Sequence, residues 1–311
     1  MRLDEFDPSD NARDLGRGGG FGGGFGGGGL GGGGLNILFS LLPMLFGRRL
    51  GCGGILLILV IGFVVMNSGL LSVASLPSDT TSANSGRTAG ANAACDTAEE
   101  LLACQVLRST ENVWTELFQQ SGQRYAAPTI NFFEQSAQSG CGAAQSAMGP
   151  FYCPSDNGVY LDTAFYRELD QRLGAGGDAA QAYVIAHEVG HHIQTLSGVS
   201  DQVRSAQSRA SEAEGNGIQV RMELQADCYA GVWASRARTP SGQPVLEQGD
   251  IEEAMAAAHA IGDDTLMRGS GQRAVESMFT HGSSEQRMRW LRRGLETGDP
   301  AQCDTFAARS I

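Results

Sequence analysis

From Leu50 to Met66 the chain reads LGCGGILLILVIGFVVM without a single charge, and the charge-free window runs on to Ser78. About 20 apolar residues are what a tilted helix needs to cross a hydrocarbon core, so the sequence predicts one transmembrane helix over residues 50–71. A cleaved signal peptide would sit at the N-terminus, whereas this run begins at residue 50, so it is expected to be retained. Arg48 and Arg49 flank its start, and Arg87 is the first basic residue beyond it. By the positive-inside rule the expected arrangement is a single-pass inner-membrane protein, N-terminus cytoplasmic and the following domain periplasmic or extracellular. The preceding run LNILFSLLPMLF (Leu35 to Phe46) is too short to span and contains Pro43, so it reads as interfacial or re-entrant.

Little else in the first third can fold alone. Residues 16–34 hold 15 of the 44 glycines, and residues 67–94 are mostly Ser, Thr, Asn, Ala and Gly. Neither stretch has the apolar surface to offset its ordering entropy. The expected organisation is a disordered, glycine-rich cytoplasmic tail over 1–49, the span over 50–71, a flexible linker over 72–94 and one globular domain over 95–311. Residues 1–94 carry six acids and six arginines, so the net charge of −12 falls on the globular domain, as 28 acids against 16 bases. Such a domain repels a phosphate backbone, and nucleic acid is not an expected partner.

Cys52 lies inside the predicted span; the other six cysteines lie in the globular domain. An even number in an exported domain points to disulfides. Proximity and elimination pair Cys95 with Cys104, Cys141 with Cys153 and Cys228 with Cys303. No two cysteines have C-x-x-C spacing, which argues against a zinc knuckle.

Hydrophobic periodicity predicts mostly helix. Asp96-x-x-Glu99 reads as a capping box before an amphipathic stretch with Leu102, Val106, Val113, Leu117 and Phe118 on one side. Short strands are predicted at Thr129 to Phe133, Pro150 to Cys153 and Val159 to Leu161, the last two joined by the turn Ser155-Asp156-Asn157-Gly158. Helical patterns return at 178–196, 216–238, 251–261 and 284–296. The fold class is α+β, mainly helical with a small β-sheet.

The segment AYVIAHEVGHHIQ carries the chemistry. His187-Glu188-Val189-Gly190-His191 is an HExxH pattern, which on a helix places both imidazoles on one face to hold Zn²⁺ and sets Glu188 as general base for water. Asp178 and Gly198 read as the caps of that helix, and Val184, Val189, Ile193 and Leu196 make it apolar enough to be buried. A hydrolytic zinc needs a third protein ligand. Positions 194 and 197 are Gln and Ser, which excludes a third histidine at metzincin spacing. Glu223 is the better candidate, because Glu223 and Asp227 share a helix face with the small Ala226 and Ala230, allowing close approach. Asp227 is then placed to accept the outer N–H of a ligand histidine. His192 points about 100° away from His191 and is not expected to reach the same ion. His259, in an alanine-rich helix, reads as packed or hydrogen-bonded. His281, in the loop before the last helix, is the candidate donor to a carbonyl oxyanion, with Arg287 orienting that loop or adding charge. Against the role for Arg287 stands its helix, where Arg289, Arg292 and Arg293 look like a solvated face.

HExxH followed by Glu-x-x-x-Asp on a later helix resembles the gluzincins, and the Thr280 to Arg287 segment is similar to its counterpart in CAAX prenyl protease-like membrane metallopeptidases. The whole layout resembles the bacterial neutral zinc metallopeptidases more closely, through GPFYCPSDNGVYLD, AYVIAHEVGHHIQ, ELQADCYAGVWA, AIGDD and FTHGSSEQR. The resemblance implies a zincin-like domain, a membrane-anchored metallopeptidase and a peptide or protein substrate. It also implies that Val159 to Leu161 is an edge strand able to pair with an extended peptide, or else ordinary sheet. Two other readings stay open: a non-catalytic, zinc-stabilised module binding envelope components, and a zinc amidase acting on cell-wall peptides.

Overall fold

The computed structural model describes residues 1–17 and 93–311. The predicted span over 50–71 and nearly all of the 72–94 linker lie outside them. Among the described residues no helix is long and apolar enough to cross a membrane.

The expected tail over 1–49 is corrected at its start. Ala12–Arg17 forms strand β1, paired in parallel with β2, Thr129–Glu134, in a register that sets Ala12 opposite Ile130. Leu3, Phe6 and Ala12 lie in the main core. The Ser9 hydroxyl and the Asn11 amide donate to Glu111 at 2.6 and 2.8 Å. So few apolar residues among acids and glycines give no strand signal by themselves; the strand exists because a partner more than a hundred residues away completes its hydrogen bonds.

After β1 comes α1, Ala98–Gln120, capped by the Thr97 and Glu100 box, one residue later than the sequence predicts. β3, Ser136–Ser139, and β4, Gly142–Gln145, form a separate hairpin. β5, Phe151–Cys153, turns into β6, Gly158–Leu161, as expected. The main sheet runs β1-β2-β6-β5, with β5 antiparallel at one edge. Helices follow: α2, Ala164–Gln171; α3, Asp178–Leu196; α4, Val199–Gln207; α5, Glu212–Arg236; α6, Asp250–Ala260; α7, Asp263–Gly269; α8, Ser284–Thr297. The fold is mixed α+β and mainly helical, as predicted. Of these helices α2, α4 and α7 carry no sequence prediction. Cys95–Cys104, Cys141–Cys153 and Cys228–Cys303 are paired as proximity and elimination expected.

The tightest helix contact joins α5 to α8. A Cβ on Gly294 would land on the backbone carbonyl of Cys228, and one on Gly231 on the carbonyl of Leu291. The obstacle is backbone in both cases and cannot swing aside. Gly294→Ala should therefore destabilise the protein by at least about 1–3 kcal/mol, the usual cost of overpacking. A thermal midpoint equal to wild type would refute that crossing.

Candidate metal centre

α3 is buried on nearly every side, from Ala179 to Gln194, which is why its sequence is apolar beyond one stripe. It starts after Gly177, with Asp178 as its first residue and not its cap, and Gly198 at φ 78° follows its end. Gly190 lets α5 come close: a Cβ there would stand 2.9 Å from the Ala226 carbonyl oxygen and 3.0 Å from its Cα. That approach brings Glu223 to the two histidines.

His187 Nε2 and His191 Nε2 lie 3.2 and 3.3 Å from the same carboxylate oxygen, Glu223 Oε2. The outer nitrogens are also engaged. His187 Nδ1 is 2.8 Å from Asp227 Oδ1, and His191 Nδ1 is 2.9 Å from Gln194 Oε1. Gln194 presents its oxygen there because its Nε2 donates to the Met222 carbonyl at 2.7 Å and to Gln225 Oε1 at 3.0 Å. Acceptors at both Nδ1 atoms place the ring protons on Nδ1 and leave both Nε2 lone pairs aimed at a carboxylate. Lone pairs facing a carboxylate repel unless a cation sits between them. The donor set, two Nε2 and one Oε2 within 4.8 Å of one another, fits a zinc ion of the His₂Glu type.

The titration behaviour has the same cause. Burial alone would depress His187, but Asp227 and Glu223 override it and raise it to about 9. His191 is raised against burial chiefly by Glu223, and Glu223 is driven well below the carboxylate range by the two histidines. Without metal the protons take the cation's place, so zinc must displace them. Binding near pH 7 should release about one to two protons per ion, read by calorimetry in buffers of different ionisation enthalpy. In chelated protein the raised His187 stabilises fully below its unfolded value near 6.5, and that contribution is lost as pH rises through about 9. Release of no protons would contradict the neutral-histidine ligand set.

Asp227, fully buried, is clasped by Arg287, whose Nε and Nη2 donate to Oδ2 and Oδ1, each at 2.9 Å. Burial would raise Asp227, but Arg287 and then His187 hold it far below the usual range. The Tyr183 hydroxyl donates to Asp227 Oδ1 at 2.6 Å. Arg287 is therefore not part of a solvated face: it lines the cavity with His281, and its guanidinium is engaged by Asp227. It is 3% exposed, whereas Arg289, Arg292 and Arg293 on the same helix are exposed.

His281 lines the same cavity as His187, Glu188, His191 and Glu223, a space of about 720 Å³. Its loop is tied down by Asp263, whose Oδ2 accepts the backbone N–H groups of Thr280, His281 and Gly282 at 2.7, 2.7 and 3.1 Å. His281 Nδ1 stands 3.2 Å from Asp263 Oδ1. His259 is exposed, contrary to the packed role expected of it. The structure also corrects the edge strand: β6 is flanked by β2 and β5, and β5 is the edge whose Phe151 and Tyr152 line the cavity. Sequence reasoning missed Tyr183, Gln194 and Asp263. The first two carried a usable signal, being four residues before His187 and three after His191 on the same helix.

The three converging donors make a candidate zinc site, and sequence comparison points the same way. The profile of the family described as "Putative neutral zinc metallopeptidase" matches residues 1–306, and the chain belongs to that family. It is 52% identical over 201 residues to the protein YpfJ of Escherichia coli K12, covering 65% of this chain and 69% of that one. It is 43% identical over 225 residues to Mb2605 of Mycobacterium bovis and to Rv2575 of Mycobacterium tuberculosis, covering 69% of this chain and 74% of each. No solved structure matches.

Proposed function

We propose that the chain is a zinc-dependent peptidase of the HExxH, gluzincin-like kind, hydrolysing peptide or protein substrates. The observation that carries this reading is the convergence of His187 Nε2, His191 Nε2 and Glu223 Oε2, with Glu188 facing the same cavity. A zinc ion held by His187, His191 and Glu223 would lower the pKa of its water toward about 7 and polarise a carbonyl. Glu188 takes the water's proton and returns it to the leaving amine. His281 donates to the carbonyl oxygen as charge develops on it. Asp227, held by Arg287 and Tyr183, keeps His187 in the tautomer that binds metal. The outer edge of β5 offers backbone groups to an extended peptide.

A closed structural site would have four protein ligands; among the described residues three donor groups gather here, and Glu188 is left for proton transfer. Incubating the zinc-loaded chain with a diverse peptide library and with cell-wall peptides, each with and without chelator, tests the proposal. Chelator-sensitive cleavage of ordinary peptides is expected. Cleavage of wall peptides alone would favour the amidase, and no cleavage of either the binding module.

A further inference from the structure

The site leaves one buried polar group of α3 unused. His192, next to the ligand His191, is 1% exposed and turned away from the metal centre. Its Nε2 lies 2.6 Å from the Ala126 carbonyl oxygen, which can only accept, so Nε2 carries the proton. Nδ1 is then the lone pair facing the Tyr152 hydroxyl at 3.0 Å, where it shares that hydroxyl's one proton with Asn157 Oδ1, also at 3.0 Å. The rings of Tyr125 and Tyr152 pack edge-on against it at 5.8 and 5.4 Å. Tyr152 is the central residue of β5, between Phe151, stacked on Tyr160, and Cys153, bonded to Cys141. The same turn of helix thus offers His191 to the metal and His192 to the edge strand.

We propose that His192 is a positioning residue: through Tyr152 it sets the height of the peptide-pairing edge β5 relative to the metal ligands. The inference rests on the peptidase reading. Tyr152→Phe and His192→Leu in the full chain should keep zinc and kcat while raising KM for an extended peptide about tenfold, the worth of one strong hydrogen bond. His192→Asn, whose oxygen can stand near the place of Nδ1, should recover most of the loss. Amide exchange at residues 151–153 should speed up in the first two variants and not in the third. Lost zinc, a kcat effect without a KM effect, or unchanged exchange would overturn the proposal. A wild-type chain that cleaves nothing would sink the peptidase reading alone, and exchange at β5 would still decide whether His192 fixes the strand.

A separate observation bears on membrane sidedness. Residues 1–17 precede the uncharged run and residues 93–311 follow it, yet β1 is hydrogen-bonded to β2, and Leu3 and Phe6 share the core with Ile130 and Val106. No strand ladder forms across a hydrocarbon layer about 30 Å thick. We infer that the N-terminal strand and the peptidase domain lie in one compartment. That inference differs from the single-pass arrangement expected from the flanking arginines. Asp4 and Arg292 are both exposed. Asp4→Cys and Arg292→Cys, each in a Cys52→Ala chain, are to be labelled with an impermeant maleimide on protoplasts before and after permeabilisation. Both reacting in intact protoplasts, or both only after permeabilisation, supports the inference; one of each overturns it.

Discussion

Replacing Glu188 with Gln should leave one zinc ion per chain and cut peptide hydrolysis by about 10² to 10⁴, the usual worth of a positioned general base. The substitution preserves shape and removes only the ability to take a proton. Zinc should stay because the three converging donors do not include Glu188. Turnover measured beside metal content by atomic absorption checks both halves. Near-normal turnover would sink the mechanism, and loss of zinc would make Glu188 a ligand. His187→Ala should do the reverse and lose the ion, since it removes one of the two nitrogens facing Glu223.

Arg287→Met should be among the most destabilising single changes outside the ligands. It leaves the carboxylate of Asp227, at 0% exposure, without its two guanidinium donors. Breaking a buried pair from one side costs about 3–5 kcal/mol, because the orphaned charge remains in a dry interior. For a domain of this size that is a fall in thermal midpoint of about 6–20 °C. Zinc affinity should also drop about 10- to 100-fold, since Asp227 orients His187. Arg287→Met combined with Asp227→Asn should regain part of the stability, as the buried charge is then gone, while zinc affinity stays low. A single variant melting within about 2 °C of wild type would refute the buried-pair account.

How much was legible follows from how far apart the interacting residues lie. α3 was predicted over the residues it occupies, because buried apolar positions and an end at Gly198 are local signals. The start of α5 was misplaced to residue 216, where Gly215 and Gly217 blur the pattern; the Ser211 and Glu214 capping box opens it earlier. Glu223 and Asp227 were legible from their four-residue spacing and the small residues beside them. The place of Arg287 was not, since three further arginines on α8 mimic a solvent face, and only the glycine-mediated crossing with α5 brings it to Asp227. Whether β6 is an edge strand or ordinary sheet stays open in the sequence, because the order of strands in a sheet is not written in the order of strands in the chain; the fold makes it an interior strand.

The sequence by itself determined the α+β class, the histidine pair and the glutamate that come together in the fold, and the pairing of the cysteines. The histidine pair depends on spacing along one helix, the class on the hydrophobic period, and the cysteine pairing on closeness in the chain plus elimination, none of which needs to know what packs around them. Tertiary structure alone decided that Gln194 fixes His191, that Arg287 serves Asp227, that β5 borders the cavity and that the first residues complete the sheet. Those contacts need orientation or packing that no local period encodes. They form where two glycines let helices touch, where a buried amide has its oxygen turned by its neighbours, and where a strand without a strong pattern finds a distant partner for its hydrogen bonds.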